Sequence, residues 1–595
     1  MFKHHFLLLV LGLTIQFGTA QSYKIHSHND YLQEVPFWSA YANGASSIEA
    51  DIFLKDGNLY VTHGESEILE DRTIQSLYLQ PIQKMKALQL GKGRPVQLLV
   101  DIKSEPYATL DKLVSVLEEY PDIIKDKSIS VVISGNRPKM VDYFKYPSYI
   151  KFDYQSLEAP KNEKVWDKVA LISLNFKNFS SWNGKGRFTA PEHAKVKSVI
   201  EKAHAYGKPF RLWATPDSKT AWKAFVDLGV DFINTDVPYA SASYLNTLKD
   251  RVYFNKETST VYVPNYISDQ KDTEVRNIIL LIGDGNGLAQ ISSSMLANGG
   301  NLTLTQFKSI GLLKTQSADD FTTDSAAAGT ALATGTKTNN RAVGVDALGN
   351  PVKSLTEVLN EKGFRSGLIT TDNVTGATPS SFYAHRTDRS DIAGISSDLY
   401  KSKLSLLVGG GSESLETELH ENGFAIEKSS NGIKTSTEER VAHFLSQADV
   451  PSILEGRGPA LAEATKNGLA FLNAKKKPFF LMVEGAQIDS YGHYNNVPGI
   501  VSEGIDFDRA ITEAVKFADA TGNTLVIVTA DHETSGFSIP QGNLETGMIE
   551  GDFTTDDHTA VMVPIFAYGP KSQEFQGVYD TNSVFHKILG VLNLE

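Results

Sequence analysis

The sequence of this chain contains no cysteine. Disulfide bonds, thiolate metal sites and cysteine nucleophiles are therefore excluded. Any zinc ion must be bound by imidazole and carboxylate groups, and harder cations must be bound by oxygen.

Basic residues are in the minority, with 57 Lys and Arg against 70 Asp and Glu and a formal net charge of −13. A nucleic-acid-binding surface needs a basic face, so we expect no nucleic-acid partner. The excess of acidic residues is consistent with a protein that binds metal cations, and equally with acidic residues that are dispersed over the surface.

Long apolar runs are missing as well. The run at residues 6–15 is too short to cross a bilayer as a stable helix. It follows a basic start at Lys3 and precedes the small residues Gly18-Thr19-Ala20, which suit cleavage after residue 20. We predict a signal peptide over residues 1–20 and a periplasmic or secreted mature protein with no membrane span. A buried N-terminal helix is the alternative.

The length of 595 residues exceeds what one core supports, so we predict two domains. Residues 23–248 alternate short apolar runs with amphipathic stretches, which predicts βαβ units closed into a (β/α)₈ barrel. Residues 249–274 are polar and are predicted to be a linker. Strongly apolar runs within residues 275–595 predict an α/β domain whose strands are buried on both faces.

Metal-binding residue types stand beside four apolar runs of the C-terminal half. They are Asp284; Glu484, Asp489 and His493; Asp531 and His532; and His558. Ligand sites in open α/β sheets lie outside the carboxyl ends of the strands, so the first three groups can converge. His558 precedes its run and must reach the same place from a loop. Imidazole and carboxylate suit zinc, an all-oxygen set suits magnesium, and two metals can clamp a phosphoryl displacement.

Ser325 lies between these groups, at the predicted start of an alanine-rich helix. A serine at a helix N-terminus sits where backbone N–H groups and the helix dipole favour a phosphate. A nearby zinc ion would lower the pKa of its hydroxyl and make it nucleophilic. Taken alone, Asp-Ser before an alanine helix is a commonplace N-cap.

Together these motifs resemble the alkaline phosphatase family, and they occur in that family's order. The matching segments are Asp284-Gly285, Asp324-Ser325-Ala326, Val483-Glu484-Gly485-Ala486, Ile488-Asp489 with His493, Thr529-Ala530-Asp531-His532-Glu533 and His558-Thr559. The resemblance implies an α/β sandwich around a central, mostly parallel sheet. It also implies a phosphomonoesterase that acts on small-molecule phosphate esters through a phosphoserine intermediate.

The same resemblance implies two Zn²⁺ ions, one Mg²⁺ ion and a role for each ligand. One zinc would be bound by Asp489, His493 and His558, the other by Asp284, Asp531 and His532, and the magnesium by Asp284, Thr378 and Glu484. Ser325 would be the nucleophile, and Arg389 would clamp the phosphate oxygens in a bidentate fork.

Two positions depart from the family pattern. Gly376 stands where the family usually has Asp or His beside the magnesium, and Ser490 stands where some members have Lys or His near the phosphate. Loss of a group that supports a metal ligand should change magnesium affinity more than it abolishes the chemistry.

Polar residues also follow the predicted strands of the N-terminal half. Glu49 and Asp51 are two residues apart and point to one side of a strand, and Asp101 and Lys103 repeat this arrangement. At the carboxyl-end mouth of a barrel such oxygen ligands suit Ca²⁺ or Mg²⁺. Two histidines there can exchange a proton in acid–base catalysis.

This pattern resembles the phospholipase C-like phosphodiesterase superfamily, which includes glycerophosphodiester phosphodiesterases. The best matches are Ser27-His28-Asn29, the Glu49/Asp51 pair and the closing segment 229–236. The resemblance implies an acid–base pair of His28 and His63, metal ligands Glu49, Asp51, Asp101 and Asn29, and a phosphate contact from Lys103. The usual His-Arg-Gly start and the Pro-Glu-Asn segment after it are absent.

Three hypotheses follow for the whole chain. In the first, the barrel hydrolyses phosphodiesters to monoesters, which the C-terminal domain then dephosphorylates. In the second, the barrel is a non-catalytic module that tethers a phosphatase to a surface or polymer. In the third, the C-terminal site is mainly a diesterase, although Ser325, Arg389 and Glu484 favour monoesters. No oligomeric state is predicted.

Overall fold

A computed structural model describes residues 23–256 and 258–594, so the predicted signal peptide lies outside the described residues. The chain divides into two compact units, Met1–Leu248 and Lys249–Glu595. Across the part of the chain that is described, no helix combines the length and apolar character of a membrane span.

The first unit is a closed barrel of eight parallel strands, which confirms the predicted (β/α)₈ fold. The strands of this unit are β1 (Lys24–Ser27), β2 (Ser47–Lys55), β3 (Asn58–Val61), β4 (Val96–Ile102), β5 (Ile129–Gly135), β6 (Ile150–Tyr154), β7 (Val169–Asn175), β8 (Phe210–Trp213) and β9 (Phe232–Thr235). Strand β1 pairs with both β2 and β9 and so closes the ring. Strand β3 is an extra strand that runs antiparallel to β2.

Helices follow most of the barrel strands and cover their outer side. They are α1 (Trp38–Ala42), α2 (Gln80–Ala87), α3 (Pro106–Glu118), α4 (Pro121–Ile124), α5 (Ala190–His204), α6 (Lys219–Leu228) and α7 (Pro238–Asn246). The short helix α8 (Leu248–Arg251) spans the point in the chain at which the second unit begins. Helix α3 shows why these segments are helical. Glu105 accepts hydrogen bonds from two N–H groups of its first turn, and Pro106 supplies a preset φ angle there.

The second unit is built on a ten-stranded sheet. In spatial order its strands are β15 (Ala425–Ile426), β16 (Val441–Ser446), β14 (Leu406–Gly410), β13 (Arg365–Asn373), β17 (Phe479–Gly485), β11 (Asn277–Gly283), β18 (Thr524–Ala530), β23 (Val563–Tyr568), β12 (Ser309–Lys314) and β24 (Gly577–Asp580). Strand β23 runs antiparallel to both of its neighbours, while the other pairings in this sheet are parallel. The sheet is therefore mostly parallel, as predicted.

Both faces of this sheet are buried. Successive residues of β11 alternate between two apolar clusters, with Ile278 and Leu280 in one and Ile279 and Leu281 in the other. This explains the continuous apolar run in the sequence. The helices of the unit are α9 (Leu288–Ala297), α10 (Ser325–Thr334), α11 (Leu355–Glu361), α12 (Ala377–Ser380), α13 (Ile392–Lys401), α14 (Glu413–Glu421), α15 (Ser430–Thr435), α16 (Ala460–Ala474), α17 (Gln487–His493), α18 (Val497–Thr521) and α19 (Ser583–Val591).

Smaller strand pairs complete the second unit. They are β10 (Val252–Phe254), β20 (Ser538–Asn543) and β21 (Met548–Asp552) in one sheet, and β19 (Glu533–Thr534) with β22 (His558–Thr559) in another. Strand β10 lies in the segment 249–274 that was predicted to be a linker. In the same segment the Tyr262 hydroxyl donates to Asp519 at 2.8 Å, so part of this segment packs against the rest of the second unit, to which it belongs.

A buried ion-pair group joins Arg457 to the first half of α18. The Arg457 guanidinium donates from Nη2 to Glu503 at 2.6 Å and to Asp506 at 2.9 Å. All three side chains are almost fully buried. A buried pair contributes little net stability, but removal of one partner leaves an uncompensated charge.

We expect Arg457→Ala to lower the free energy of unfolding of the second unit by about 3–5 kcal/mol, because two buried carboxylates lose their cation. Denaturant unfolding, followed by hydrogen exchange in α18, measures this change. The control is Lys516→Ala, which removes an exposed pair to Glu513 and should cost below about 1 kcal/mol. Equal effects of the two substitutions would contradict this account of the Arg457 group.

Candidate active site

The sheet of the second unit gathers the predicted metal ligands at one edge. Strands β17, β11 and β18 are neighbours and run in parallel, with Ile282 opposite Glu484 and Gly283 opposite Ala530. Asp284, Asp531 and His532 follow directly after these strand ends. The three groups predicted to converge are therefore brought to the same edge.

A first cluster contains Asp489, His493 and His558. All three residues lie outside the large sheet: Asp489 and His493 are on α17, and β22 places His558 opposite Thr534 of β19. Nε2 of His493 lies 3.3 Å from Asp489 Oδ2, and Nε2 of His558 lies 3.5 Å from Asp489 Oδ1. The two Nε2 atoms are 3.1 Å apart.

A backbone carbonyl oxygen beside Nδ1 fixes the orientation of each imidazole. Nδ1 of His493 lies 2.7 Å from the carbonyl oxygen of Asp556, and Nδ1 of His558 lies 2.8 Å from that of Thr323. A carbonyl oxygen only accepts, so each Nδ1 carries a proton, and Nε2 is the atom that would bind a metal ion after losing its own proton. Metal-binding histidines are held in this way.

A second cluster surrounds His532, which is fully buried. Its Nε2 atom lies 3.4 Å from Asp284 Oδ1 and 3.2 Å from Asp531 Oδ2. Ligand atoms of Asp284, Asp489 and His532 lie within 4.8 Å of one another. Asp489 therefore stands between the two clusters, while Asp531 borders the second one.

Several predicted ligand atoms are buried without a hydrogen bond. Within the described residues no hydrogen-bond partner exists for Asp284 Oδ1, Asp531 Oδ2 or Thr378 Oγ1. An unsatisfied buried polar atom costs about 1–3 kcal/mol, more when it is charged. Divalent cations would satisfy these oxygens, so the residues present fit the metals that the motifs imply.

The charges of this site also call for cations. Burial, with the added charge of Asp372, raises the pKa of Glu484 to about 8. Burial and the charge of Asp489 raise the pKa of Asp531 to about 6, and burial raises the pKa of Asp284 well above its ordinary range. Asp489 is the exception, because hydrogen bonds from the first-cluster histidines outweigh burial and hold its pKa low.

Ser325 is the first residue of α10, whose ten residues are all buried. Asp324 caps the helix by accepting from the N–H group of Ala327 at 2.9 Å. The Ser325 hydroxyl lies 3.3 Å from His532 Nε2, and Arg389 Nη1 lies 3.4 Å from Asp324 Oδ2. The predicted nucleophile and the predicted phosphate clamp therefore both lie at the N-terminus of this helix, where an anion is favoured.

Asp372 is a member of this site that the motifs did not identify. A Cβ atom on Gly376 would lie 2.0 Å from Asp372 Oδ2, so the carboxylate fills the space that a side chain at position 376 would take. Asp372 stands near the carboxyl end of β13, next to β17. The rule that selected the other acids at strand ends would also have selected this one.

The barrel brings together a second acidic site. Asp51 and Asp101 are opposite each other on β2 and β4, and Lys103 Nζ lies 3.2 Å from Asp51 and 3.0 Å from Asp101. His63 Nδ1 lies 2.9 Å from Asp51 Oδ2. Single oxygens of Glu49, Asp51 and Asp101 lie within 4.8 Å of one another, which would allow a shared cation.

His28 lies beside the strand-β9 end of the barrel mouth. Its Nδ1 atom is 2.7 Å from Asp236 Oδ1 and 3.1 Å from Asn29 Nδ2. The Asn29 oxygen accepts from Tyr31 at 3.3 Å, and that hydroxyl also donates to Asp51. His28 and His63 are thus each paired with an aspartate.

Arg211 and His26 also belong to the barrel site, and the sequence motifs did not predict either of them. Arg211 Nη1 lies 2.9 Å from Glu49 Oε2, and His26 Nε2 lies 2.7 Å from the same oxygen. One oxygen of Glu49 is therefore already paired. Burial, followed by the charge of Arg211, lowers the pKa of His26 to about 3. An arginine inside the apolar strand Phe210–Trp213 was the signal that could have revealed this group.

Comparisons with known proteins agree with this division into two sites. Residues 275–422 and 432–549 match the family described as alkaline phosphatase. Residues 17–136 match an AIM6-like phosphodiesterase domain, and residues 209–239 match the glycerophosphoryl diester phosphodiesterase family. Both resemblances inferred from motifs are confirmed.

Alkaline phosphatase 4 of Bacillus subtilis (strain 168) is 38% identical over 294 residues, which are 45% of this chain and 64% of that protein. Alkaline phosphatase 3 of the same organism is 34% identical, and the match covers 45% of this chain and 63% of that protein. The chain thus spans less than two thirds of these two relatives. Among solved structures, alkaline phosphatase from the Antarctic bacterium TAB5 is 39% identical in sequence, with a TM-score of 0.52. The match covers 54% of this chain and 100% of the TAB5 chain.

We expect chelation of divalent cations to lower the unfolding temperature of the second unit and zinc to restore it, because the buried acidic groups lose their counter-charge. A ligand at a hundred times its dissociation constant stabilises by about 2.7 kcal/mol. Calorimetry together with metal analysis measures the effect. His558→Ala should reduce the bound zinc, while His586→Ala, an exposed histidine on α19, should not. Equal zinc content in both variants would contradict the first cluster as a metal site.

Proposed function

The C-terminal half of this chain is a domain of the alkaline phosphatase family, and from that premise we propose that it hydrolyses small-molecule phosphate monoesters. The observation that carries this proposal is the position of Ser325. Its hydroxyl lies at a helix N-terminus, 3.3 Å from a buried histidine, beside unsatisfied carboxylate oxygens.

The chain's own groups suit a two-step displacement. The N–H groups at the start of α10 and the guanidinium of Arg389 would bind the phosphate oxygens. The Ser325 oxygen would attack phosphorus, the ester P–O bond would break, and the alcohol would leave with a proton. Water would then hydrolyse the phosphoserine, which releases phosphate and regenerates Ser325.

The ligand sets that we propose for two Zn²⁺ and one Mg²⁺ are those implied by the family motifs, and the first cluster of ligand atoms supports the first set. They are Asp489, His493 and His558 for one zinc, Asp284, Asp531 and His532 for the other, and Asp284, Thr378 and Glu484 for magnesium. When bound, these cations would stabilise negative charge on the phosphate and lower the pKa of the Ser325 hydroxyl. In support, a TAB5 alkaline phosphatase variant is described with magnesium bound in its M3 site.

We further propose that the barrel hydrolyses phosphodiesters to monoesters, which the second unit then dephosphorylates. Glu49, Asp51, Asp101 and Asn29 would hold Ca²⁺ or Mg²⁺, and Lys103 would contact the phosphate. His28 and His63 would transfer the protons, since each is oriented by an aspartate. Water would add to phosphorus while one ester alcohol leaves. A phosphate-releasing pair of this kind suits an exported protein, and we propose a periplasmic or secreted location.

One observation favours the alternative of a non-catalytic barrel. Lys103 makes ion pairs with both Asp51 and Asp101 and so already supplies positive charge where the cation would bind. A measurement of diester hydrolysis by the full chain distinguishes a catalytic barrel from a non-catalytic one.

We expect Ser325→Ala to lower hydrolysis of p-nitrophenyl phosphate, at alkaline pH with zinc and magnesium, by about 1000-fold or more, because the covalent step is lost. Zinc content should stay as in the wild type. Ser414→Ala, an exposed serine on α14, is the matched control. Loss of less than about tenfold would mean that Ser325 is not the nucleophile.

With glycerophosphocholine as substrate and calcium or magnesium present, we expect His63→Ala to slow diester cleavage by about 100- to 10,000-fold, because a proton-transfer group is removed. The monoester product is measured by chromatography in a Ser325→Ala background, where it should accumulate. His193→Ala, an exposed histidine on α5, should retain the activity. Absence of any diester cleavage by the parent protein would favour the binding barrel.

A further inference from the structure

Gly376 directly precedes helix α12, which carries Thr378, one of the proposed magnesium ligands. Its φ angle is −58°, in a range that any residue adopts, so the backbone does not require glycine at this position. The requirement is one of space, because a Cβ atom on Gly376 would lie 2.0 Å from Oδ2 and 2.8 Å from Cγ of Asp372. A side chain at position 376 and the present position of the Asp372 carboxylate are therefore mutually exclusive.

Strand β13 is irregular where it carries Asp372. From Ile369 to Asn373 this strand advances by four residues, while the partner strand β14 advances by two, from Val408 to Gly410. Extra residues of this kind bend a strand and redirect a side chain, and they are common beside functional sites. We attribute the position of the Asp372 carboxylate to this irregularity.

Asp372 is linked to Glu484, a second proposed magnesium ligand, through Thr370. The Thr370 hydroxyl donates to Glu484 Oε2 and accepts from the N–H group of Asp372 at 2.8 Å. Asp372 Oδ1 accepts from the N–H group of Asn373 at 2.7 Å, while among the described residues Oδ2 accepts no hydrogen bond. The buried Thr378 Oγ1 has no partner there either. The region between β13, Glu484 and α12 therefore contains oxygen atoms that a ligand could satisfy.

The charges in this region support the same interpretation. Burial, followed by the charge of Asp372, raises the pKa of Glu484 to about 8, so the two carboxylates are close enough to repel each other. Mg²⁺ prefers oxygen ligands and usually keeps several water molecules, whose protons need acceptors beyond the direct ligands. A carboxylate at position 372 supplies both a negative charge and such an acceptor.

We propose that Asp372 is a positioning residue of the magnesium site and that it occupies the place of a side chain at position 376. This inference rests on the proposed magnesium ligands Asp284, Thr378 and Glu484, and it adds a residue that no motif identifies. It also explains the glycine at position 376, because the acid is supplied four residues earlier, from β13. Either position can supply this acid, but both cannot do so at once.

The test is a calorimetric titration of magnesium chloride into the full chain, loaded with two equivalents of zinc and freed of magnesium. We expect Asp372→Ala to raise the dissociation constant for magnesium about 10- to 100-fold, as the loss of groups that support metal ligands does. Asp372→Asn keeps the shape of the side chain and should raise the constant about tenfold, because the charge is lost. Zinc content and circular dichroism should stay as in the wild type.

Asp449→Asn is the matched control, because Asp449 is exposed and affects Asp372 through its charge. Loss of this exposed charge should change the dissociation constant for magnesium by less than about threefold. A magnesium affinity that is lowered equally by Asp449→Asn and Asp372→Asn would overturn the specific role of position 372.

A second set of variants tests the shared place directly. Gly376→Asp alone should weaken magnesium binding, because its Cβ atom displaces the Asp372 carboxylate. The double variant Asp372→Ala/Gly376→Asp should bind magnesium within about threefold of the wild type, so that the two losses cancel instead of adding. Additive losses in the double variant would overturn the proposal.

The magnesium titration also separates this inference from the proposed function. An unchanged dissociation constant in Asp372→Ala, together with Ser325-dependent hydrolysis of p-nitrophenyl phosphate, overturns the role of Asp372 and leaves the phosphatase function intact. If the zinc-loaded wild type binds no magnesium, the proposed magnesium ligands fail and the role of Asp372 fails with them.

Discussion

Buried negative charge is the constraint on which the second unit depends. Parallel strands that end together deliver their carboxylates to one place, and here Asp284, Glu484 and Asp531 arrive with little access to water. Burial raises the pKa of each, so without a counter-charge the folded protein keeps protons that the unfolded chain releases at about pH 4. The stability of the protein without metal therefore falls as pH rises from about 4 to these raised pKa values. Divalent cations would remove that cost, and their positive charge would favour binding of a phosphate.

Helix α10, which carries the proposed nucleophile, is shaped by the same requirement. Its first residues are Ser325 and three alanines, and all ten of its residues are buried. Small side chains let the N-terminus of this helix lie close to the candidate metal ligands. Larger side chains would increase that distance. The N-cap carboxylate of Asp324 keeps Arg389 close to that N-terminus. The proposed nucleophile, the N–H groups proposed to bind the phosphate and the Arg389 guanidinium are therefore positioned by packing before any substrate binds, as electrostatic preorganisation requires.

Functional residues that directly follow a strand could be predicted from the sequence. Residues whose role depends on a partner far away in the sequence could not. The eight-stranded barrel, the mostly parallel sheet and the acids after β11, β17 and β18 follow from apolar runs and their flanking residues. Asp372 was missed because no motif surrounds it, although it also lies near a strand end. Arg211 pairs with Glu49 across 162 positions, a separation that no local pattern reveals. Strand β10 pairs with β21 in the same long-range way, so its segment was predicted to be a linker.

The two acidic sites solve one electrostatic problem differently. In the barrel, Lys103 lies between Asp51 and Asp101, and Arg211 pairs with Glu49, so cationic side chains neutralise much of the acidic charge. In the second unit Arg389 contacts Asp324 instead. Asp284 Oδ1 and Asp531 Oδ2 have no hydrogen-bond partner among the described residues and lie 3.4 and 3.2 Å from His532 Nε2. Metal should therefore govern the folding stability of the second unit more strongly than that of the barrel. In the barrel a cation would have to displace the Lys103 ammonium from two ion pairs, which frees that ammonium to bind a phosphate oxygen.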